Sequence, residues 1–256
     1  MSSTLAAAGL ARAGGSRPLE GKVALVTAST YGVGLAVVRA LAAQGAGIGL
    51  NGGGDPDAIR ILCQTLAARF DVPTCHDMAD MADPDSVRIM VERVRRCLGA
   101  VDILVNTIPG IARLALADAP RSGDWETIVA VPLTSAFHIT GAVLPPMRRR
   151  GFGRIVHVAC TVGADAEPLP RMGLVMRHSL VGLTRTAALE GAADGITCNI
   201  VFPGPVRHRG LAGGTGPRTG LVPPDDVAAA VAFLCGANAG SITGAVLPMG
   251  RTGGGD

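Results

Sequence analysis

The residues able to do acid–base or nucleophilic chemistry are few. The chain contains one tyrosine, Tyr31, and one lysine, Lys22, and the other basic residues are all arginine. Any reaction that pairs a phenol with an ammonium group must use those two residues or none. Six cysteines stand at positions 63, 75, 97, 160, 198 and 235. They are far apart in sequence and form no Cys-x-x-Cys pair. Cys75-His76 has no matching ligand pair elsewhere, so buried free thiols in a reducing compartment are favoured over zinc ligation or disulfides. Cys160 could act as a nucleophile with His157 or His178. On a strand, however, His157 lies three residues back and faces the other way, which favours an inert Cys160. One Gly-rich turn, Thr27-Ala28-Ser29-Thr30-Tyr31-Gly32-Val33-Gly34, could bring backbone amides to a phosphate at a helix N-terminus.

Alternating elements must position these groups. The apolar run Val23–Thr27 predicts a strand, and 33–45 a helix stopped by Gly45. The pattern continues with strand 48–51, helix 55–69, strand 72–75, helix 85–98 and strand 101–106. A long helix over 124–150 follows, then strand 154–159, helix 172–191, strand 196–201, helix 225–234 and strand 245–247. Strict β/α alternation with continuously apolar strands implies an α/β, doubly wound, Rossmann-type parallel sheet in a single domain. The domain is read as 19–256, behind a loosely attached extension over 1–18. The Gly/Pro-rich stretch 205–224 reads as a loop. Helix 172–191 is apolar nearly all round. Met172, Met176, Leu180 and Leu183 form one row, and Val175, Gly182, Thr186 and Leu189 another. One row suits the sheet and the other suits a second subunit.

Composition excludes several classes. With 256 residues, 48% of them hydrophobic, a full core is within reach. The net charge of +3 is carried by scattered arginines. The densest group, Arg148–Arg150, falls at a helix end, where cations favour the dipole. Seven aromatic residues make no stacking platform, so nucleic acid is not expected. No run is long and apolar enough to span a membrane, and residues 1–17 lack a signal-peptide pattern. The expected location is the cytoplasm.

The chain resembles the short-chain dehydrogenase/reductase family, with closest likeness to its D-3-hydroxybutyrate dehydrogenase type. The resemblance rests on Gly21–Thr27, Leu41–Ala46, Asp102–Asn106, Gly151–Val156, His178 with Val181–Thr184, Asn199 and Pro203-Gly204, and it spans roughly residues 19–250. It implies a catalytic tetrad whose every position is altered here. The family's Tyr falls on Gly173, its Lys on Arg177, its Ser on Cys160 and its Asn on Pro132. Gly173 has no proton to donate. Arg177 keeps a charge with no phenol to tune. Cys160 is a poor donor. Pro132 should kink the long helix. The arginine suggests a halohydrin dehalogenase-like reading, which fails because that chemistry still needs the Tyr.

On the same resemblance the cofactor side is eroded. The loop's first glycine is Ala28, Tyr31 crowds the phosphates, and Asn106-Thr107-Ile108-Pro109 replaces Asn-Asn-Ala-Gly. His208 replaces the threonine that holds the nicotinamide. Gly32, Gly34, Asn51, Asp80 and Asn106 remain as residual cofactor residues, or remain only for helix–sheet packing. The polar carboxylate-clamping residues become Val162 and Pro170, and the lid over 205–224 is shortened.

Taken together, the resemblance implies a silent subunit that binds no cofactor itself. It would pair with an active paralogue that carries NAD, through helices 124–150 and 172–191 and the tail 250–256. Such a hetero-oligomer resembles the two-gene hydroxyacyl-CoA dehydrogenases of anaerobic aromatic degradation, such as (hydroxybenzyl)succinyl-CoA dehydrogenase. Two other readings stay open. One is a homo-oligomeric regulator that binds nucleotide or acyl-CoA, and the other is an enzyme with new chemistry at Cys160.

Overall fold

The computed structural model describes residues 17–108, 123, 125–159, 171–206 and 221–250. Seven strands form one parallel sheet: β1 (Val23–Val26), β2 (Gly47–Asn51), β3 (Thr74–Asp77), β4 (Ile103–Ile108), β5 (Gly153–Ala159), β6 (Ile196–Pro203) and β7 (Val246–Met249). Their order is β3-β2-β1-β4-β5-β6-β7. The chain winds outward from β1 to β3, then crosses back to β4 and winds the other way. Residues in β1, β2, β4, β5 and β6 are buried throughout, as covering on both faces requires.

The two-residue period of the strands splits the core. Val26, Val105, Val156 and Val201 face helices α1 (Gly32–Ala43) and α6 (Pro224–Cys235). Leu25, Leu104, Ile155 and Cys198 face α3 (Pro84–Leu98), α4 (Val131–Arg150) and α5 (Arg171–Gly191). Helix α2 (Pro56–Phe70) adds Leu66 to the first layer. A third cluster joins Ile108, Ala136, Met176, Leu180 and Phe202 near the carboxyl edge of the sheet. Prolines begin α2 and α3 behind Asp55 and Asp83, whose carboxylates accept from the first-turn amides.

The expected elements are all present, with shifts that have local causes. Strand β3 begins at Thr74, after Pro73, rather than at Val72, and its polar end His76-Asp77 pairs with Leu50-Asn51. Strand β4 starts at Ile103 because the Asp102 carboxylate is occupied with the Val23 amide and Arg150. It extends to Ile108, paired with Ala159. The single helix read over 124–150 is two pieces. A π turn, Glu126–Ala130, closes with Val131 N–H on the Glu126 carbonyl, and α4 runs on from Val131. Pro132 cannot donate to the carbonyl four residues back, so the widened turn stands where an interior kink was expected.

The cysteines need a correction as well. Cys198 and Cys235 are buried, but Cys63 and Cys75 are only half-buried and Cys97 is exposed. Among the described residues no helix is long and apolar enough to cross a membrane, and no cluster could hold a metal. Residues 1–16, Cys160, Val162, Pro170, His208 and the tail beyond 250 lie outside the described residues. The ends of the 205–224 segment are described: Val206 bridges Val222, and the Val222 amide donates to the Pro205 carbonyl at 2.8 Å.

Candidate functional site

Reversal of strand order between β1 and β4 leaves a crevice at the strands' carboxyl ends, the usual ligand position in such sheets. A cleft of about 450 Å³ occupies it, walled by the β1–α1 turn, the ends of β2, β3 and β4, and the start of α4. Of the expected cofactor residues, Asn51, Asp80 and Asn106 line this cleft.

The Gly-rich turn is tied to β2. Ser29 N–H donates to the Asn51 carbonyl at 2.8 Å, and the Ser29 hydroxyl accepts from Asn51 N–H at 3.1 Å. Gly32 has φ +57°, so its glycine is a backbone requirement. A Cβ on Gly34 would strike the Ala28 carbonyl oxygen and stand 2.8 Å from Ser29 Cα. Gly34 is thus required by helix–turn packing and Gly32 by its backbone angle. Ala28 is held at φ +46°, a left-handed conformation that an L-residue adopts at a cost of about 1 kcal/mol. Ala28 lines the cleft. Tyr31, N-cap of α1, provides no capping hydrogen bond and leaves its ring 62% exposed at the mouth of the same cleft.

Both asparagines also make hydrogen bonds within the protein. Asn51 Nδ2 donates to the carbonyls of Asp77 and Ala79 at 3.3 and 3.1 Å, bracing the β3 end of the cleft. Asn106 Oδ1 accepts from Thr27 Oγ1 at 2.8 Å, and its Nδ2 faces His157 Nδ1 at 3.4 Å. Asp80 spends one carboxylate oxygen on the Ala82 amide. His157 is the member of this buried row that sequence reading discounted. It lies on the α4/α5 side of β5, completely buried, with no partner for Nε2 among the described residues. Burial pushes its pKa down to about 4, so the ring is neutral. Only strand alternation pointed to that face, and nothing in the sequence signalled the Thr27–Asn106–His157 row.

The catalytic positions implied by the resemblance hold no acid–base pair among the described residues. Gly173, in the first turn of α5, is buried. A Cβ there would meet no described atom within 4 Å. One turn on, the Arg177 guanidinium lies 4.6 Å from the Phe202 ring centroid. It has no carboxylate partner among the described residues. Pro132 is buried at the cleft, and its carbonyl accepts from Ser135 Oγ at 2.9 Å. The sole tyrosine and lysine stand at opposite ends of β1. Lys22 Nζ sits 4.0 Å over the Phe152 ring at the amino edge. The strand alone separates them by roughly 13 Å at the usual rise per residue.

Comparison with known proteins agrees with this architecture. The family model described as enoyl-(acyl carrier protein) reductase matches residues 27–250. A D-beta-hydroxybutyrate dehydrogenase of Rhizobium meliloti is 39% identical over 183 residues, covering 72% of this chain and 70% of that protein. The protein of the same name from Cupriavidus necator is 40% identical over 186 residues, covering 73% and 71%. The 3-oxoacyl-[acyl-carrier-protein] reductase FabG of Haemophilus influenzae is 31% identical over 240 residues, covering 90% and 96%.

Proposed function

The chain belongs to the short-chain dehydrogenase/reductase family, and from that premise we propose that it is a catalytically silent subunit of a hetero-oligomeric dehydrogenase. The observation that carries the reading is Gly173 followed one turn later by Arg177 against Phe202, with the sole tyrosine at the cleft mouth and the sole lysine at the far edge of the sheet. No side chain at those positions gives a proton to a carbonyl, so hydride transfer has no proton source in this chain. It carries no nicotinamide cofactor of its own. Ala28 Cβ and Tyr31 obstruct the phosphate approach, and NAD sits in the partner.

The partner is an active paralogue of the same fold. Two apolar faces that are exposed among the described residues support this. On α5, Met176 and Leu180 are buried, whereas the second row presents Val175 and Leu189, the latter 80% exposed. On and before α4, Trp125, Val131 and Phe137 are exposed. Apolar surface on adjacent helices of this kind marks a subunit contact. The relatives' names refer to hydroxybutyrate, 3-oxoacyl and acetoacetyl compounds. The assembly's substrate is accordingly a 3-hydroxyacyl-CoA, with hydroxybenzylsuccinyl-CoA as the specific expectation. The cytoplasm is the proposed compartment, a reading that free thiols support.

The test is turnover of NAD with a 3-hydroxyacyl-CoA by the purified chain, by an intact paralogue, and by the two co-purified. The reading requires none from this chain alone and a stable mixed assembly with activity. Turnover by this chain alone refutes it. One observation favours a second reading, a nucleotide-binding regulator: the cleft retains an α1 N-terminus with no side-chain cap. Tight calorimetric binding of NAD, AMP or an acyl-CoA by a homo-oligomer would select it.

A further inference from the structure

Thiols separated in sequence meet at the free edge of the sheet. Cys75 stands on β3, the edge strand, opposite Gly49 of β2. Helix α3 covers that position: a Cβ on Gly49 would lie 3.1 Å from the Val94 side chain. Cys97 is one turn beyond Arg93, in the last turn of α3, and Cys75 lies two residues before Asp77 on the same face of β3, so the Arg93–Asp77 contact brings the two cysteines to the same place between helix and strand. Cys63 of α2 approaches from the other side, where its carbonyl accepts from Thr74 Oγ1 at 3.2 Å. The Asp77–Arg93 ion pair, at 3.0 Å, already ties β3 to α3.

We propose that Cys75 and Cys97 form a reversible disulfide site that responds to hydroperoxides. Cys97 is exposed and takes the oxidant. Its sulfur attacks the outer oxygen of the hydroperoxide, the O–O bond breaks, and an alcohol (water, from hydrogen peroxide) leaves. The sulfur is oxidised to a sulfenic acid. The Cys75 sulfur then attacks the Cys97 sulfur. The S–O bond breaks, the departing oxygen takes the Cys75 proton and leaves as water, and the S–S bond forms. Burial, together with the neighbouring thiols and Asp77, pushes the Cys75 thiol up to about 12, so Cys75 stays protonated and the exposed Cys97 is the thiol that meets the oxidant first.

The chain between these cysteines includes Ala79–Ala82, one wall of the cleft. A bond between the end of α3 and β3 closes that segment into a loop and restricts it. Oxidation thereby stiffens the cleft wall braced by Asn51. The site needs neither a cofactor nor a partner subunit, so it stands or falls apart from the silent-subunit reading.

The experiment treats the full chain with hydrogen peroxide, blocks free thiols with N-ethylmaleimide, and maps tryptic peptides without reduction. The expected product links residues 70–88 to residues 97–113, with the loss of two hydrogens, and dithiothreitol reverses it. Cys97→Ser and Cys75→Ser abolish it, and Cys63→Ser retains it. Oxidised wild type melts at a higher temperature than reduced. Sulfinic acid at Cys97 without the linked peptide, or linkage of Cys97 to Cys63, overturns the proposal. Both outcomes are read on the wild-type chain, so the test holds even if Cys75→Ser does not fold.

Discussion

The buried His157 ring makes the protein's stability depend on pH in a calculable way. The folded chain holds the imidazole at a pKa of about 4 because burial opposes its charge, against an ordinary 6.5. The unfolded chain therefore takes up the proton first. This contribution to stability is complete above pH 6.5 and is lost as pH falls from 6.5 towards 4, with no further loss below 4. Linkage over that interval amounts to about 2 kcal/mol between pH 7 and pH 5, and about 3 kcal/mol in full. The assay is urea unfolding at pH 7 and pH 5 for wild type and His157→Gln. The glutamine keeps an amide oxygen for Asn106 and removes the titration. All other groups cancel in the comparison, so wild type should lose about 2 kcal/mol more than the variant. Equal losses in both proteins refute the assignment of His157 as a neutral, solvent-excluded member of the Thr27–Asn106 row.

Other outcomes follow from the same geometry. Ala28→Gly relieves a left-handed φ of +46° and should stabilise the chain by about 0.5–1 kcal/mol in chemical denaturation; a loss would mean that the alanine is not strained. Gly34→Ala drives a Cβ into the Ala28 carbonyl and should cost about 2 kcal/mol or more, with a melting point lower by several degrees. Leu189→Asp with Phe137→Asp changes exposed positions only, so the melting point should stay within about 2 °C while assembly with the paralogue is lost in size-exclusion chromatography.

The order of elements was legible because β1, β2, β4, β5 and β6 are mostly apolar runs and helices such as α1 and α4 have a clear stop. Gly45 ends α1 with φ +97°, and Gly151 ends α4 with φ +67°. The two rows of α5 were legible too, since Met176 and Leu180 point inward while Leu189 faces solvent. What escaped depends on contacts between distant segments. Asp102 reads as a strand residue, yet its carboxylate serves the Val23 amide 79 positions away. Asn51 and Asn106 read as cofactor residues. Their partners, the Asp77 and Ala79 carbonyls, Thr27 and His157, are set by strand register that the sequence does not display. The meeting of Cys75 with Cys97 likewise needs α3 to fold back on the edge strand. Pro132 signalled a disturbance in the helix but not its form, because a π turn depends on which carbonyl the Val131 amide can reach. The counts were plainest of all, since a single tyrosine and a single lysine leave no second pair for the positions that the resemblance puts at Gly173 and Arg177.

The central claim is that this chain contributes to a dehydrogenase without transferring hydride itself. It is tested most directly by co-expressing the chain with an intact paralogue and measuring, on the same purified sample, native mass and NAD-dependent oxidation of a 3-hydroxyacyl-CoA. The account predicts a mixed oligomer containing both chains, turnover that disappears when the paralogue's catalytic tyrosine is replaced by phenylalanine, and no turnover from this chain alone. A homo-oligomer that excludes the paralogue, or turnover that survives inactivation of the paralogue, would contradict it.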